Sequence, residues 1–282
     1  MTKTNSIIDE AEQAALDEQS LQDATKLSPR LIYEVIRRDG EEELERPLRS
    51  LVWSGIAAGI MISFSVLGEA IFRTHLPDAP SSYLIENLGY SLGFLLVILG
   101  RMQLFTENTI TTVLPLMVAP SRRLLGDVCQ LWFVVLSANV VGAFAIATVF
   151  AHTSAIPAEL IPALVSLSEH AVGMSVGESF MRAIPAGILI AAIVWMLPQA
   201  ENASFFVILI FTWLIAAGDF THIVAGSVEM AFLAVRGDLG FYDAVFGFFL
   251  PVLAGNVVGG TVIFTLMAWG QVRHELVDAE KT

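Results

Sequence analysis

Charge is scarce in this sequence. Asp, Glu, Lys and Arg make up 15% of its 282 residues, against about 25% in a typical soluble domain. Mean hydropathy is +0.68, and several apolar runs approach or exceed the ~20 residues that span a bilayer. A soluble domain is thereby excluded, and a polytopic helical membrane protein is expected. The alternating pattern of an outer-membrane barrel is absent. Cysteine is nearly absent too: a lone Cys129 forms no intrachain disulfide. The polar N-terminus lacks the basic stretch and apolar core of a cleavable signal peptide, so none is expected. Also missing are a phosphate-cradling Gly-Lys-Ser/Thr loop, a His-Glu-x-x-His metal pair and the tandem Asn-Pro-Ala signs of a water channel. No enzymatic activity, cofactor or metal is therefore expected. His152 and His170 stand isolated in a polar connection and are assigned no ligand.

The charge present is mostly negative, −13 overall, and unevenly placed. Residues 1–45 hold 12 Asp and Glu against 5 Lys and Arg. An acidic chain is a poor partner for nucleic acid. Residues 1–28 read as a loose or surface helix. Residues 29–50 mix apolar and charged positions at helical spacing, which suits an interfacial helix feeding the membrane; a solvated linker is the plainer alternative. Six crossings follow, at about 50–72, 83–118, 124–151, 178–197, 203–234 and 242–270. The second and fifth are overlong and are broken by polar stretches, QLFTENT at 103–109 and GDFTH at 218–222. The domain reading is an acidic cytoplasmic segment, 1–49, a transmembrane channel domain, 50–271, and a C-terminal tail, 272–282.

Basic residues give the orientation. Arg37, Arg38, Arg46, Arg49, Arg122, Arg123, Arg273 and Lys281 fall on one side. Only Arg73, Arg182 and Arg236 fall on the other, and the 152–177 connection has neither Lys nor Arg. Both termini are expected in the cytoplasm.

Three pairs of segments echo each other. Ala58-Gly-Ile-Met-Ile62 resembles Ala186-Gly-Ile-Leu-Ile190, Phe105-Thr106-Glu107 resembles Phe220-Thr221-His222, and Asn139-Val-Val-Gly-Ala143 resembles Asn256-Val-Val-Gly-Gly260. Each repeat holds three crossings, so the halves point in opposite directions, as in many transport proteins. Backbone that leaves the helix at membrane depth survives only when buried in protein or lining a watery cavity. Two matching breaks therefore suggest a shared conduit, with Asn108 and the threonines bonding the freed backbone.

His222, directly after the second break, is the sharpest candidate. Ionisable residues at membrane depth usually mark pathways; the plainer reading is a neutral histidine bonded inside the bundle. Thr106 is its expected partner across the first break. Glu107 and Asp219 flank the breaks and either line the path, tune His222 or hold the loops. For Glu107 the loop role is favoured, with Arg101 its candidate neutralising partner. Leu104, Phe105, Phe94, Tyr90 and Ile215 surround the breaks as apolar constrictions or as packing. Asn256 joins the pathway set through its repeat position.

At these residues the chain resembles the formate/nitrite transporter family, over most of residues 30–272. The carriers are Leu104-Phe105-Thr106, His222, Val194-Trp195-Met196 and Asn256-Val-Val-Gly-Gly260. QLFTENT with GDFTHIVAGSVE is most similar to the YfdC-like branch. The resemblance implies an aquaporin-like protomer in a homopentamer of the bacterial inner membrane. One pore per protomer would pass a small monovalent anion such as formate, nitrite or hydrosulfide. It implies that Thr106 and His222 face each other at the pore centre, the imidazole polarising or protonating the passing anion. It also implies that Tyr90, Phe94 and Ile215 form constrictions, with Leu104 and Phe105 in a mobile loop. Three positions depart from the family pattern: Gly187 stands where many members have Asn, Glu107 where small residues are common, and the outer connection lacks a basic residue. The anion reading is favoured through the resemblance; Glu107, Asp219 and an outer connection without Lys or Arg would suit the alternative, a channel for small cations. A non-conducting structural or regulatory membrane protein is the third reading.

Overall fold

The computed structural model describes residues 27–200 and 202–279. The acidic segment before residue 27, expected as a surface helix, lies outside them. All regular structure among the described residues is helical.

Helix α1 (Pro29–Glu45) starts where Ser28 Oγ accepts the Leu31 N–H at 3.3 Å and Pro29 takes the first turn, a position where its missing N–H costs nothing. Ile32, Tyr33 and Ile36 are buried against Ile110, Leu114, Ala191 and Val272. α1 is thus a docked helix rather than a linker. Two helices, α2 (Leu48–Met61) and α3 (Ser63–His75), follow nearly end to end. Next come α4 (Ser82–Glu86), a 3₁₀ turn (Asn87–Tyr90) and α5 (Ser91–Leu99); after a break, α6 (Phe105–Thr111) and α7 (Val113–Val118) resume. α8 (Arg122–His152) is continuous.

The 152–177 connection is not plain loop: it carries α9 (Ile161–Val172), which packs on α3 and on a helix of the second half. α10 (Val176–Met196) opens on a capping box in which Ser175 and Glu178 satisfy each other's backbone N–H groups. α11 (Ser204–Ala217) and α12 (Ile223–Arg236) flank the second break. The chain closes with a π-helical segment (Asp243–Phe249), α13 (Leu250–Val257), a second π-helical segment (Val258–Thr265) and α14 (Leu266–Ala279).

Among the described residues, five helical stretches are long and apolar enough to cross a membrane: Leu48–His75, Ser82–Leu99, Arg122–His152, Val176–Gln199 and Asp243–His274. The other expected crossing is built from α11 and α12, 14 residues each. At 1.5 Å per residue each half reaches about 21 Å, short of a ~30 Å hydrocarbon core. α2 packs on α8, and α10 packs on α13. Glycine permits both close approaches. A Cβ on Gly59 would lie 2.1 Å from Asn139 O, and one on Gly187 would lie 2.3 Å from Asn256 O. Gly187 therefore has no room for the side chain that the family pattern suggested there.

Candidate functional site

Both broken helices end in the same way. At the end of α5, Arg101 N–H donates to Ile98 O at 3.1 Å and Met102 N–H to Val97 O at 3.0 Å. At the end of α11, Asp219 N–H donates to Ala216 O and Phe220 N–H to Ile215 O, both at 2.9 Å. This is the paired bonding of a Schellman turn, whose left-handed residue is usually glycine. Here it is Arg101, at φ 50°, and Asp219, at φ 54°.

A buried asparagine from a neighbouring helix then holds each freed strand of backbone. Asn139 Oδ1 accepts the Phe105 N–H at 3.0 Å, while Nδ2 donates to Gly55 O and Gln103 O at 2.8 Å. Asn256 Oδ1 accepts the Ile223 N–H at 2.8 Å, while Nδ2 donates to Ala183 O at 2.8 Å and Thr221 O at 3.0 Å. Both side chains are fully buried. Each satisfies three backbone groups that would otherwise be costly orphans. Asn108 and the threonines do less than expected here. Thr109 and Thr112 bond carbonyls within their own helical turns, at 2.7 Å each.

These bonds set the register of the repeat, and they correct the sequence echo. Gln103 matches Thr221, Leu104 matches His222 and Phe105 matches Ile223, an offset of 118 residues. The Phe-Thr echo, at an offset of 115, is three residues out of step. By position His222 corresponds to Leu104: each is the extended residue before a half-helix.

Thr106 nonetheless meets His222 in space. Its Oγ1 lies 2.8 Å from His222 Nε2, with the two residues 1% and 2% exposed. His222 Nδ1 accepts the Ala225 N–H at 3.3 Å and so caps α12. With Nδ1 engaged as an acceptor, the neutral ring carries its hydrogen on Nε2 and donates it toward Thr106. The Phe94 ring stands edge-on to the imidazole at 5.0 Å, and Tyr90 lies 5.1 Å beyond Phe94. Phe105 packs edge-on to Trp132 at 5.7 Å.

Two cavities approach this contact. One, of about 340 Å³, is bordered by His222, Tyr90, Asp219, Phe220, Glu69 and Glu229, among others. The second, of about 700 Å³, reaches Leu104, Gln103, Glu107 and Asn108, with α1 forming part of its wall. Thr106, Phe94, Phe105, Ile215 and Asn256 border neither cavity and are buried.

The acids divide. Asp219 pairs with Arg182 and lies 2.9 Å from His170 Nε2, so His170 is not isolated. His152 Nε2 lies 3.1 Å from Val235 O. Glu107 does not hold the loop: its buried Oε1 has no hydrogen-bond partner among the described residues. Arg101 is exposed and forms no ion pair with it. Gln103 is the residue that sequence reasoning passed over. Its Nε2 donates to Glu43 of α1 at 2.6 Å, its Oε1 accepts from Asn108 at 3.1 Å, and its backbone N–H meets Ser54 Oγ at 3.0 Å. Glu43 sits in an acidic run that gave no hint of this. Glu69 and Glu229 were also passed over, although a carboxylate inside an apolar helix was signal enough.

The family model described as formate/nitrite transporter matches residues 30–270. Over 250 residues the chain is 46% identical to the inner membrane protein YfdC of Escherichia coli (strain K12), covering 89% of this chain and 81% of that one. It is 25% identical to the formate channel FocA of Haemophilus influenzae over 244 residues, 77% of this chain and 84% of the relative. A solved pentameric formate channel with formate bound superposes with a TM-score of 0.67 at 21% identity, over 79% of this chain and 96% of that chain. An ion channel of the same family superposes at 0.72 with 17% identity, over 85% and 98%.

Proposed function

Because this chain belongs to the formate/nitrite transporter family, we propose that it is a multi-pass channel of the bacterial inner membrane. It passes a small monovalent anion of the formate or nitrite kind through one conduit per protomer of a homopentamer. The observation that carries this reading is the Thr106–His222 contact, which joins the two chain breaks between a cavity on either side.

A bare anion in a narrow apolar slit is expensive. The slit therefore needs a donor at its waist, and His222 Nε2–H is that donor, with the Thr106 hydroxyl beside it. Since Nδ1 is held by the Ala225 N–H, the ring offers one hydrogen and keeps its orientation without solute. The anion takes the place that Thr106 Oγ1 holds at rest. Phe94, Tyr90, Ile215, Leu104 and Phe105 supply the apolar walls that resist hydrated ions. Glu107 and Asp219 stand at the approaches, and Asn256 holds the second break in shape. Both termini lie in the cytoplasm, which places the Glu107 cavity on that side. Residues 50–271 form the channel, and residues 1–49 and 272–282 face the cytoplasm.

Flux of formate and nitrite into liposomes holding the purified protein tests this. Flux is expected in the wild type, with a large loss in His222→Asn. Flux of cations alone, reduced in Glu107→Gln, overturns the anion reading. Absence of flux of either sign overturns the channel itself.

A further inference from the structure

We propose that the His222 cavity holds a small monovalent cation, an alkali ion or ammonium, on the carboxylates of Glu69 and Glu229. The proposal goes beyond the anion reading and stands whichever solute crosses the pore.

Four carboxylates border this cavity of about 340 Å³: Glu69, Glu86, Asp219 and Glu229. Two have counter-charges. Glu86 is bound by Arg73 at 2.6 and 2.8 Å. Asp219 is bound by Arg182 and lies beside His170. Arg73 hydrogen-bonds Glu86 and, at 3.2 Å, Ser166 Oγ, and bonds neither Glu69 nor Glu229. Glu69 and Glu229 border the same space and form no hydrogen bond or ion pair among the described residues.

Glu69 is the telling member, because it is 5% exposed. A surface acid has water to solvate it, but a buried carboxylate without a partner is costly until a proton or a cation neutralises it. Glu69 and Glu229 lie on α3 and α12, which pack against each other, so the two carboxylates aggravate each other. A cation in the cavity they share can offset both charges, where one proton neutralises only one of them. The wall also suits one: the rings of Tyr90, Phe220 and Phe248 border the cavity, and ring faces attract small cations. No group of three or more His, Cys, Asp or Glu among the described residues is disposed to hold a metal ion. That argues against a chelated divalent ion. A resident cation also answers a difficulty of the anion reading, since an uncompensated acidic vestibule repels the solute it must admit.

The test is thermal unfolding of the purified full-length protein in detergent. The protein is titrated with NaCl, KCl or NH4Cl at constant ionic strength, balanced with N-methyl-D-glucamine chloride, whose cation is too large to enter. The melting temperature is expected to rise saturably with at least one small cation. In Glu69→Gln and in Glu229→Gln the half-saturating concentration is expected to rise by about tenfold or more. Glu159→Gln, on the exposed connection, is expected to respond as wild type. If Glu69→Gln does not fold, Glu229→Gln decides. A response equal to that of N-methyl-D-glucamine, or one unchanged in both variants, overturns the site. Liposome flux separates the two proposals: anion flux without a cation response removes this site and leaves the channel, and the reverse result does the opposite.

Discussion

Arg101 and Asp219, 118 residues apart, occupy the same left-handed position at the end of two oppositely directed half-helices, with φ of 50° and 54°. They are the only residues other than glycine with positive φ among the described residues. The two turns are the same structure built twice, and neither uses the residue that the conformation favours. Asp219 has a reason to be there, since its carboxylate binds Arg182. Among the described residues Arg101 has no ion pair.

Arg101 thus carries strain that can be measured. A β-branched side chain is worse than arginine in the left-handed region and glycine is better. Arg101→Ile is expected to be less stable than Arg101→Gly by about 1–2 kcal/mol. Thermal unfolding in detergent reads the difference, and equal stabilities would show that the turn relaxes.

Asn139 and Asn256 are expected to be the most sensitive polar positions in the bundle. Asn256→Asp keeps an acceptor for Ile223 N–H but loses both donations and points a carboxylate at two carbonyls. Each buried orphan costs about 1–3 kcal/mol, so a loss of about 3 kcal/mol or more is expected. Asn139→Asp is expected to cost the same, because its three partners are equivalent. The yield of folded protein on size-exclusion chromatography and its melting temperature check both.

His222 does two jobs, and two substitutions separate them. Asn is a good helix N-cap and Ala is not. His222→Asn is expected to keep near-wild-type stability and lose most anion flux. His222→Ala is expected to lose both, with about 1 kcal/mol or more of stability from the missing cap. Equal flux in His222→Asn and wild type would remove the imidazole from the transport path.

α1 is expected to loosen in acid. The Arg37 guanidinium hydrogen-bonded to Glu34, helped by Arg38, holds the Glu34 carboxyl down at about 2, against an ordinary 4.5. A lowered folded value means that the stabilisation is complete above about 4.5 and is lost as pH falls from there toward 2. Glu34 is partly solvated, so the effect is under about 1 kcal/mol. Hydrogen exchange of residues 29–45, corrected for intrinsic rate, is expected to speed up between pH 5 and pH 3 (both about, from that window) in the wild type. Glu34→Gln is expected to abolish that dependence.

Much of this architecture is legible in the sequence because a bilayer punishes exceptions. An apolar run interrupted by QLFTENT or GDFTH has few physical outcomes, and both interruptions are chain breaks. The register of the repeat is less legible. Phe-Thr recurs by coincidence at 115, whereas the matching units are hydrogen bonds to Asn139 and Asn256, which no string comparison contains. Glu107 shows a different limit. Its place beside a break suggests a loop holder, but the break was already satisfied by Asn139 from another helix. The Gln103–Glu43 bond joins residues 60 apart, one of them in a run of near-identical acids, so nothing local singled it out.

Leu104 and His222 stand at equivalent rungs of the two halves, and only one of them is polar. In the channel proposed above, an ion entering from one face reaches the imidazole directly, while an ion from the other must first pass a hydrocarbon side chain. The protomer is therefore twofold in its backbone and one-sided in its electrostatics. Its conductance should differ with the sign of the applied voltage, a rectification written into a single unmatched residue.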